Sequence, residues 1–318
     1  MCTSIRFSDD SGHMYLGRNL DWSFGYGEKV RITPKGFPIP YSYIDDAPAA
    51  HAVIGMCIDY KNYPMYFDCG NDAGLAVAGL NFPGYAEYAP RAVEGKTNIA
   101  AYEFPLWVAA TFTTVDEAEA ALRTTAIVAK SAGEGLGVSL LHWIIGDAKR
   151  SIVVEMMADG LHIYDDPVDT LANQPEFPWH MENLRNYITA SSDFPADAAW
   201  RDADLKPYGA GAGIPGDCYS TSRFVKAAYL NANYPQKDTE AENVIRMFRS
   251  LEGVAMVEGS SKMGDGKFEK TIYTGCFSGR TGNYYYATYE DPAIRYVSLS
   301  DAEGADPTKL VCPEPRLR

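Results

Sequence analysis

Short runs of alternating hydrophobic and polar residues occur at both ends of the chain and in its middle. Residues 2–8 and 13–20 flank the turn-forming run Ser8-Asp9-Asp10-Ser11-Gly12. They predict a β-hairpin that begins at the second residue. Further strand-like runs lie at 51–60, 64–69, 74–80, 138–145, 151–157, 161–164, 270–276, 283–288 and 294–298.

Four segments have the composition of helices. Residues 99–112 are apolar on more than one side and predict a buried helix. Thr114, with Glu117 three residues later, has the pattern of a capping box and predicts the start of a second helix. Two more helices are predicted at 222–231 and 239–251.

The segment 165–220 differs from the rest of the chain. It is rich in Pro, Gly, Asp and Ala, and it predicts only one short helix, near 182–187. Loops of this length usually serve binding or assembly. We therefore interpret the segment as a loop-rich excursion from an otherwise regular fold.

The predicted elements follow the order strands, two helices, strands, loop, two helices and strands. Strands and helices are grouped instead of alternating singly, which disfavours a Rossmann fold or an α/β barrel. Two antiparallel sheets between helix layers fit the order better. Residues 1–318 contain no repeat and no linker, so we expect a single α+β domain.

Composition excludes several classes of function. The formal net charge of −14 disfavours binding to nucleic acid, and no apolar run approaches the length of a membrane span. The N-terminus lacks the apolar region of a signal peptide, so we expect a cytoplasmic protein. Because there is no CxxC motif and no zinc-like spacing of His and Cys, we expect neither a metal nor a cofactor.

Cys2 is the cysteine with an unusual position. A small residue after Met1 allows the methionine to be trimmed, which would give Cys2 a free α-amine. The pKa of such an amine is ~7.7–8.0, close to the pH at which a general base works best. One residue then supplies both the nucleophile and the base. This arrangement predicts amide hydrolysis through a thioester.

The segment Gly17-Arg18-Asn19-Leu20-Asp21-Trp22 ends the second strand of the predicted hairpin, close to Cys2. Arg18 would stabilise a thiolate by its charge, and Asp21 would accept a hydrogen bond from the α-ammonium. Positions 18 and 21 have opposite parity, so a regular strand directs them to opposite faces. We therefore expect a bulge or a turn between them if both serve one site.

An oxyanion needs hydrogen-bond donors. Asn173 lies on an irregular segment that can aim its side-chain amide, and Asn81 follows an apolar strand and could offer its backbone N–H. Arg223, at the start of a predicted helix, would supply a second cation. Asn81 and Asn173 also fit ordinary turn asparagines. Arg223 also fits a solvated residue on a helix surface.

Five short motifs occur together in this chain: Met-Cys-Thr at 1–3, Gly-Arg-Asn-Leu-Asp-Trp at 17–22, Gly-Leu-Asn-Phe-Pro-Gly-Tyr at 79–85, Asn-Gln-Pro-Glu-Phe at 173–177 and Ser-Arg-Phe at 222–224. Together they resemble the choloylglycine hydrolases, over nearly the whole chain. The resemblance implies a four-layer αββα N-terminal-nucleophile fold, hydrolysis of glycine- or taurine-conjugated bile acids, and a homotetramer in which the excursion clasps a neighbouring subunit.

The resemblance also implies the roles of individual residues. Cys2 would be the nucleophile, tuned and oriented by Arg18 and Asp21. The oxyanion would be held by Asn173 and Asn81, and the site supported by Arg223. Apolar contacts with a steroid are expected from Leu20, Trp22 and Phe24.

Two alternatives stay open. Penicillin V acylases share the chemistry of Cys2, although the context of Asn81 is closer to the branch that acts on bile salts. The second alternative is a non-catalytic protein of the same fold that binds small molecules. Ala172 replaces the usual Thr of the family, and 216–220 is less rich in Ser than expected, so the preference between glycine and taurine conjugates is left open.

Overall fold

The computed structural model describes residues 1–318. Its strands, numbered β1 to β20 in chain order, are Cys2–Ser8, Met14–Trp22, Lys29–Thr33, Pro38–Ile39, Ala47–Pro48, Val53–Tyr60, Tyr63–Asn71, Ala76–Asn81, Thr97–Ala100, Thr125–Val128, Leu141–Gly146, Ser151–Met157, Gly160–Asp165, Thr170–Leu171, Ala198–Trp200, Ala203–Leu205, Lys270–Ser278, Asn283–Thr288, Arg295–Ser298 and Arg316–Leu317.

The helices α1 to α5 are Phe104–Thr111, Val115–Leu122, Phe177–Asn183, Ser220–Asn233 and Glu240–Glu252. Short 3₁₀ helices lie at Leu184–Tyr187 and Leu299–Ala302. The helices are all too short or too polar to cross a lipid bilayer.

Two seven-stranded sheets form the centre of the molecule. The first has the order β14-β1-β2-β17-β18-β19-β20, and the second has the order β13-β12-β11-β8-β7-β6-β3. Neighbouring strands in both sheets are antiparallel. Helices α4 and α5 pack on the first sheet and α1 packs on the second, which confirms the four-layer αββα sandwich.

The alternation of side chains along β1 and β2 assigns each face of the first sheet to a different core. Met14, Leu16 and Leu20 pack between the two sheets. Ile5 and Tyr15 lie in the core formed with α4 and α5. Even-numbered residues of this hairpin therefore face the second sheet, and odd-numbered residues face the helices.

The two sheets approach closely where Gly70 of β7 meets Phe277 of β17. A Cβ atom at Gly70 would lie 2.3 Å from the phenyl ring of Phe277. This distance is far below a normal van der Waals contact, so glycine is required at this point for the sheets to pack.

The predicted helix at 99–112 is wrong at its start. Ile99 and Ala100 belong to β9, which pairs in parallel with β10, and the helix begins at Phe104. Pro105 lies in its first turn, the position in a helix where a missing N–H costs least. The apolar run thus contains a strand followed by a helix, which apolar periodicity alone does not separate.

The short helix predicted at 182–187 begins earlier than expected. It starts at Phe177, with Pro178 in the first turn, and continues as a 3₁₀ helix over Leu184–Tyr187. The rest of the excursion contains the short hairpin of β15 and β16. Strand β3 was not predicted, although Val30 and Ile32 alternate with polar residues.

Candidate active site

Cys2 is the first residue of β1 and pairs with Leu20 of β2. Its side chain is buried and lines a cavity of about 540 Å³. Most of the lining side chains are apolar, and they come from the ends of several strands and from the loop before β11. A nucleophile at a strand end thus opens onto an apolar cavity.

Arg18 is the side chain that contacts the thiol directly. Its Nη2 donates to Sγ of Cys2 at 2.7 Å, and its Nη1 donates to the carbonyl of Gly79 at 3.0 Å. Arg18 and Cys2 are both even-numbered residues of the hairpin, so the pairing of β1 with β2 directs both between the sheets. The positive charge of the guanidinium is therefore directed at the sulfur atom of Cys2.

The charge of Arg18 is maintained inside the protein by its surroundings. Burial acts to lower the pKa of Arg18, but its electrostatic interactions with Cys2 and Asp68 raise it above its ordinary value. Burial also raises the pKa of Asp68, which Arg18 opposes. The hydroxyl groups of Tyr273 and Tyr284 donate to the Asp68 carboxylate. Arg18 therefore remains a guanidinium beside the thiol.

Asp21 lies on the opposite face of the same sheet from Arg18. Its Oδ1 accepts from Oγ1 of Thr271 at 2.6 Å, and its Oδ2 is 4.0 Å from Nη1 of Arg223 and has no hydrogen-bond partner. Burial raises the pKa of Asp21, and the charge of Arg223 opposes this. The bulge expected between Arg18 and Asp21 is absent from β2, so that prediction is wrong; the register shift lies in the neighbouring strand β17, between Thr271 and Tyr273.

Met1 occupies the space next to Asp21. Its amine donates to the backbone carbonyl of Asp21 at 2.5 Å and to Oε1 of Glu269 at 3.0 Å. With Met1 in place, the nitrogen of Cys2 is an amide, which donates to Oδ1 of Asn173 at 2.7 Å. The lone pair of an amide nitrogen is delocalised into the carbonyl and does not act as a base, so the base predicted for Cys2 requires that Met1 be removed.

Asn173 is held by contacts on both ends of its side-chain amide. Oδ1 accepts from the N–H of Cys2 and from Nη2 of Arg223 at 2.7 Å. Nδ2 donates to the carbonyl oxygen of Asn81 at 2.6 Å. Because a carboxamide has two N–H donors, one remains available to an oxyanion. Asn81 lines the cavity and contributes its carbonyl as an acceptor in this network.

Arg223 is buried, in contrast to the solvated helix position that its sequence context also allows. It lies in the first turn of α4, and its Nη1 donates to the carbonyl of Cys2 at 2.5 Å. Burial lowers the pKa of Arg223, and the carboxylate of Asp21 opposes this. Arg223 therefore bridges the backbone of the nucleophile to Asn173 and Asp21.

The three residues expected to contact a steroid separate into two groups. Leu20 and Trp22 line the cavity. Phe24 does not, because it lies beyond the end of β2 and is 48% exposed, with its ring against Trp22 and Tyr26. The contact of Phe24 with a steroid stays a prediction, and Tyr26, which was not predicted, also lines the cavity.

Several residues of the site were not predicted. Met65 and Phe67 line the cavity from β7, and Lys130 and Leu136 line it from the loop before β11. Glu269, which binds the amine of Met1, is also buried. None of these residues lies in a recognisable motif. Glu269 directly precedes strand β17, but nothing in the sequence distinguishes it from an exposed acidic residue.

Comparison with known proteins places this geometry in context. The family model for linear amide C–N hydrolases of the choloylglycine hydrolase family matches residues 2–312. The chain is 52% identical over 315 residues to the bile salt hydrolase/transferase of Bifidobacterium longum subsp. longum, which covers 98% of this chain and 99% of that protein. It is 43% identical over 305 residues to the conjugated bile acid hydrolase of Lactobacillus acidophilus, covering 95% and 96%.

Solved structures agree with this match. A mutant conjugated bile acid hydrolase from Clostridium perfringens superposes with a TM-score of 0.89 at 32% identity, covering 100% of this chain and 96% of the other. Penicillin V acylase from Agrobacterium tumefaciens superposes with a TM-score of 0.74 at 17% identity, covering 94% and 86%. At that identity the second likeness concerns the fold alone.

Proposed function

The chain belongs to the choloylglycine hydrolase family of linear amide C–N hydrolases, and we propose that it hydrolyses the amide bond of glycine- and taurine-conjugated bile acids. The observation that carries the proposal is the contact of Arg18 with the Sγ of Cys2 at the apolar cavity. The relatives named as hydrolases of bile salts or conjugated bile acids support the substrate class.

The first half of the reaction forms a thioester. After removal of Met1, the α-amine of Cys2 accepts the proton of Sγ, and the thiolate attacks the carbonyl carbon of the substrate amide. The free N–H of Asn173 donates to the oxyanion of the tetrahedral intermediate. The C–N bond then breaks, and the leaving amine takes the proton from the α-ammonium.

The second half of the reaction releases the bile acid. A water molecule gives a proton to the α-amine of Cys2 and attacks the carbonyl carbon of the thioester. The C–S bond breaks and Cys2 is regenerated with a free bile acid as the product. Arg18 stabilises the departing thiolate by its charge, as it does in the first half.

The shape and polarity of the cavity agree with a steroid substrate. The volume of about 540 Å³ falls within the range of small-molecule sites. Leu20 and Trp22 approach the nucleophile, and Met65 and Phe67 extend the apolar wall. A rigid apolar body with one amide at its end would place that amide beside Cys2.

We also propose that the chain is a cytoplasmic homotetramer. All six cysteines are free, as is usual in a reducing compartment. The excursion between α3 and α4 exposes large apolar side chains, a feature of protein–protein interfaces. They are Ile188, Phe194, Trp200, Leu205, Tyr208 and Tyr219.

The release of amino acid from glycocholate, taurocholate and penicillin V tests the function. We expect both bile salts to be cleaved, and we expect Cys2→Ser to lose this activity. Cys312→Ser is the matched control, since Cys312 is exposed and free. Cleavage of penicillin V alone would support a penicillin V acylase and contradict the proposal of bile-salt hydrolysis. No cleavage, with Met1 retained and Cys2 unreactive to iodoacetamide, would support a non-catalytic binding protein.

A further inference from the structure

Two buried histidines hold the segment that carries Asn173. Nε2 of His142, in β11, lies 2.7 Å from the carbonyl oxygen of Ala172. Nε2 of His180, in α3, lies 2.9 Å from the carbonyl oxygen of Asn173. Both imidazoles are fully buried. Two consecutive carbonyls before the bond to Gln174 are therefore fixed by side chains from two different elements.

His142 is held by contacts on both ring nitrogens. Its Nδ1 is 3.0 Å from Oε1 of Glu155, which is also fully buried and accepts from the backbone N–H of Phe177. A carbonyl can only accept a hydrogen bond, so the contact with Ala172 requires a proton on Nε2 of His142. The contact with Glu155 fixes the orientation of the ring.

His180 has the complementary environment. Its Nδ1 is buried and has no hydrogen-bond partner, so a neutral imidazole with its proton on Nε2 satisfies the single acceptor, the carbonyl of Asn173. Burial lowers the pKa of His180 to about 4. His142 of β11 and Arg223 of α4 also act to lower this pKa, and the hydrogen bond to the carbonyl of Asn173 opposes them.

Each histidine is also stacked on a phenylalanine that follows a residue of the active site. Phe82, next to Asn81, lies parallel to His142 with ring centroids 4.1 Å apart and an angle of 7°. Phe224 stacks on His180 at 4.4 Å and 19°, and it follows Arg223. The two imidazoles thus connect the Asn173 segment to two of the three other chain segments that contact its side chain.

We propose that His142 and His180, each donating from Nε2 to a backbone carbonyl, are positioning residues that aim the side chain of Asn173 at Cys2. They touch neither the thiol nor the cavity. They act through the backbone at 172 and 173, whose rotation would move both ends of the Asn173 amide. The catalytic consequence rests on the proposed function, in which that amide binds the oxyanion.

Neutron diffraction from crystals of the full chain tests the protonation without any assay of activity. We expect deuterium on Nε2 of His142 and on Nε2 alone of His180. An Nε2 without deuterium in either ring, or deuterium on Nδ1 of His180, would overturn the proposal. This measurement decides the protonation even if the chain cleaves no conjugated bile acid, so its failure is distinct from a failure of the proposed function.

Variants of His142 test the positioning. His142→Gln keeps an amide donor near the position of Nε2, whereas His142→Met has a similar volume and no donor. Because small displacements of catalytic groups cost on the order of 10²-fold in rate, we expect His142→Met to lower kcat by on the order of 10²-fold with little change in KM. We expect His142→Gln to recover most of that loss.

His13→Gln is the matched control for these variants. His13 lies at the turn end of the hairpin, where it contacts Asp9 and is partly exposed, and we expect wild-type kcat and KM. Equal losses in His142→Gln and His142→Met, or no loss in either, would contradict the positioning role. If His142→Met does not fold, His180→Gln and His180→Met provide the same comparison at the carbonyl of Asn173.

Discussion

Arg18 and Asp21 lie on the same strand, yet Arg18 points between the two sheets and Asp21 points toward the helices. The guanidinium of Arg18 contacts the Sγ of Cys2, and the carboxylate of Asp21 lies 4.0 Å from Arg223. Both can act on Cys2 because it is at the end of β1. Arg18 contacts its side chain from one face of the sheet, and Asp21 lies near its backbone on the other face. Strand parity therefore divides the site into a thiol side and a backbone side.

Removal of the charge on the thiol side gives the first prediction. We expect Arg18→Gln to lower kcat and to slow alkylation of Cys2 by iodoacetamide at pH 7 by roughly tenfold, because the substitution removes the positive charge 2.7 Å from Sγ. Alkylation rates followed by mass spectrometry measure this. Arg185→Gln, at an exposed arginine, is the control. An unchanged alkylation rate in Arg18→Gln would show that the contact does not activate the thiol.

Asn173→Asp tests the oxyanion role. The substitution preserves shape but replaces both N–H donors by an acceptor, and it places a negative oxygen against the carbonyl of Asn81. Because loss of one oxyanion donor costs on the order of 10²–10³-fold, we expect kcat to fall by about that factor. Asn186→Asp, at an exposed asparagine, should retain wild-type kcat. Similar rates in the two variants would exclude the role of Asn173.

Part of the site follows from local sequence. A tight hairpin over 2–8 and 13–20 pairs Cys2 with Leu20, which brings Arg18 to the same face as the thiol by strand alternation alone. The turn residues between the strands set this register. The predicted hairpin is therefore confirmed, because a short-range pattern determines it. The predicted sandwich of two sheets is confirmed as well.

Other parts depend on contacts between distant segments. Asn173 reaches Cys2 because β14 pairs with β1, and Arg223 reaches it because α4 packs on the same strand. No periodicity in either segment encodes those contacts. Phe24 and Tyr26 are both aromatic and close in sequence, yet Tyr26 lines the cavity while Phe24 is 48% exposed beyond the end of β2. Side-chain type alone does not determine which residues line a cavity.

The excursion provides a prediction about assembly. We expect the chain to elute as a tetramer in size-exclusion chromatography with light scattering, and the double variant Trp200→Ser with Tyr208→Ser to elute as smaller species. Both side chains are exposed in the single chain, and burial of aromatic surface is a main source of affinity at interfaces. Val257→Ser, at an exposed apolar residue elsewhere, should keep the tetramer. A monomeric wild-type chain would overturn the assembly proposal.

Retention of Met1 gives a prediction that separates the base from the thiol. We expect a chain with an uncleaved N-terminal extension to lose hydrolysis by at least on the order of 10²-fold, because general-base catalysis contributes about that much. The same chain should still react with iodoacetamide at Cys2, since the contact with Arg18 exists with Met1 in place. Protease treatment that leaves Cys2 first should restore hydrolysis. Full activity before that treatment would exclude the α-amine as the base.

His180 makes stability depend on pH. Its pKa lies at about 4 in the folded chain, below its ordinary value of 6.5, because burial disfavours the charged ring. The unfolded chain therefore binds the proton more readily between these values. The contribution of neutral His180 to stability is complete above pH 6.5 and is lost as pH falls toward 4.

We expect the wild-type free energy of unfolding to fall on acidification by up to about 1.4 kcal/mol per pH unit more than that of His180→Gln. Urea unfolding from pH 7 to pH 4.5 measures the difference, and His13→Gln should follow the wild type. Gln at 180 keeps a donor for the carbonyl of Asn173 and cannot titrate, so the two chains should differ most at low pH. Parallel curves would mean that His180 is already protonated in the fold, and its Nδ1 would then need an acceptor that the surrounding residues do not supply.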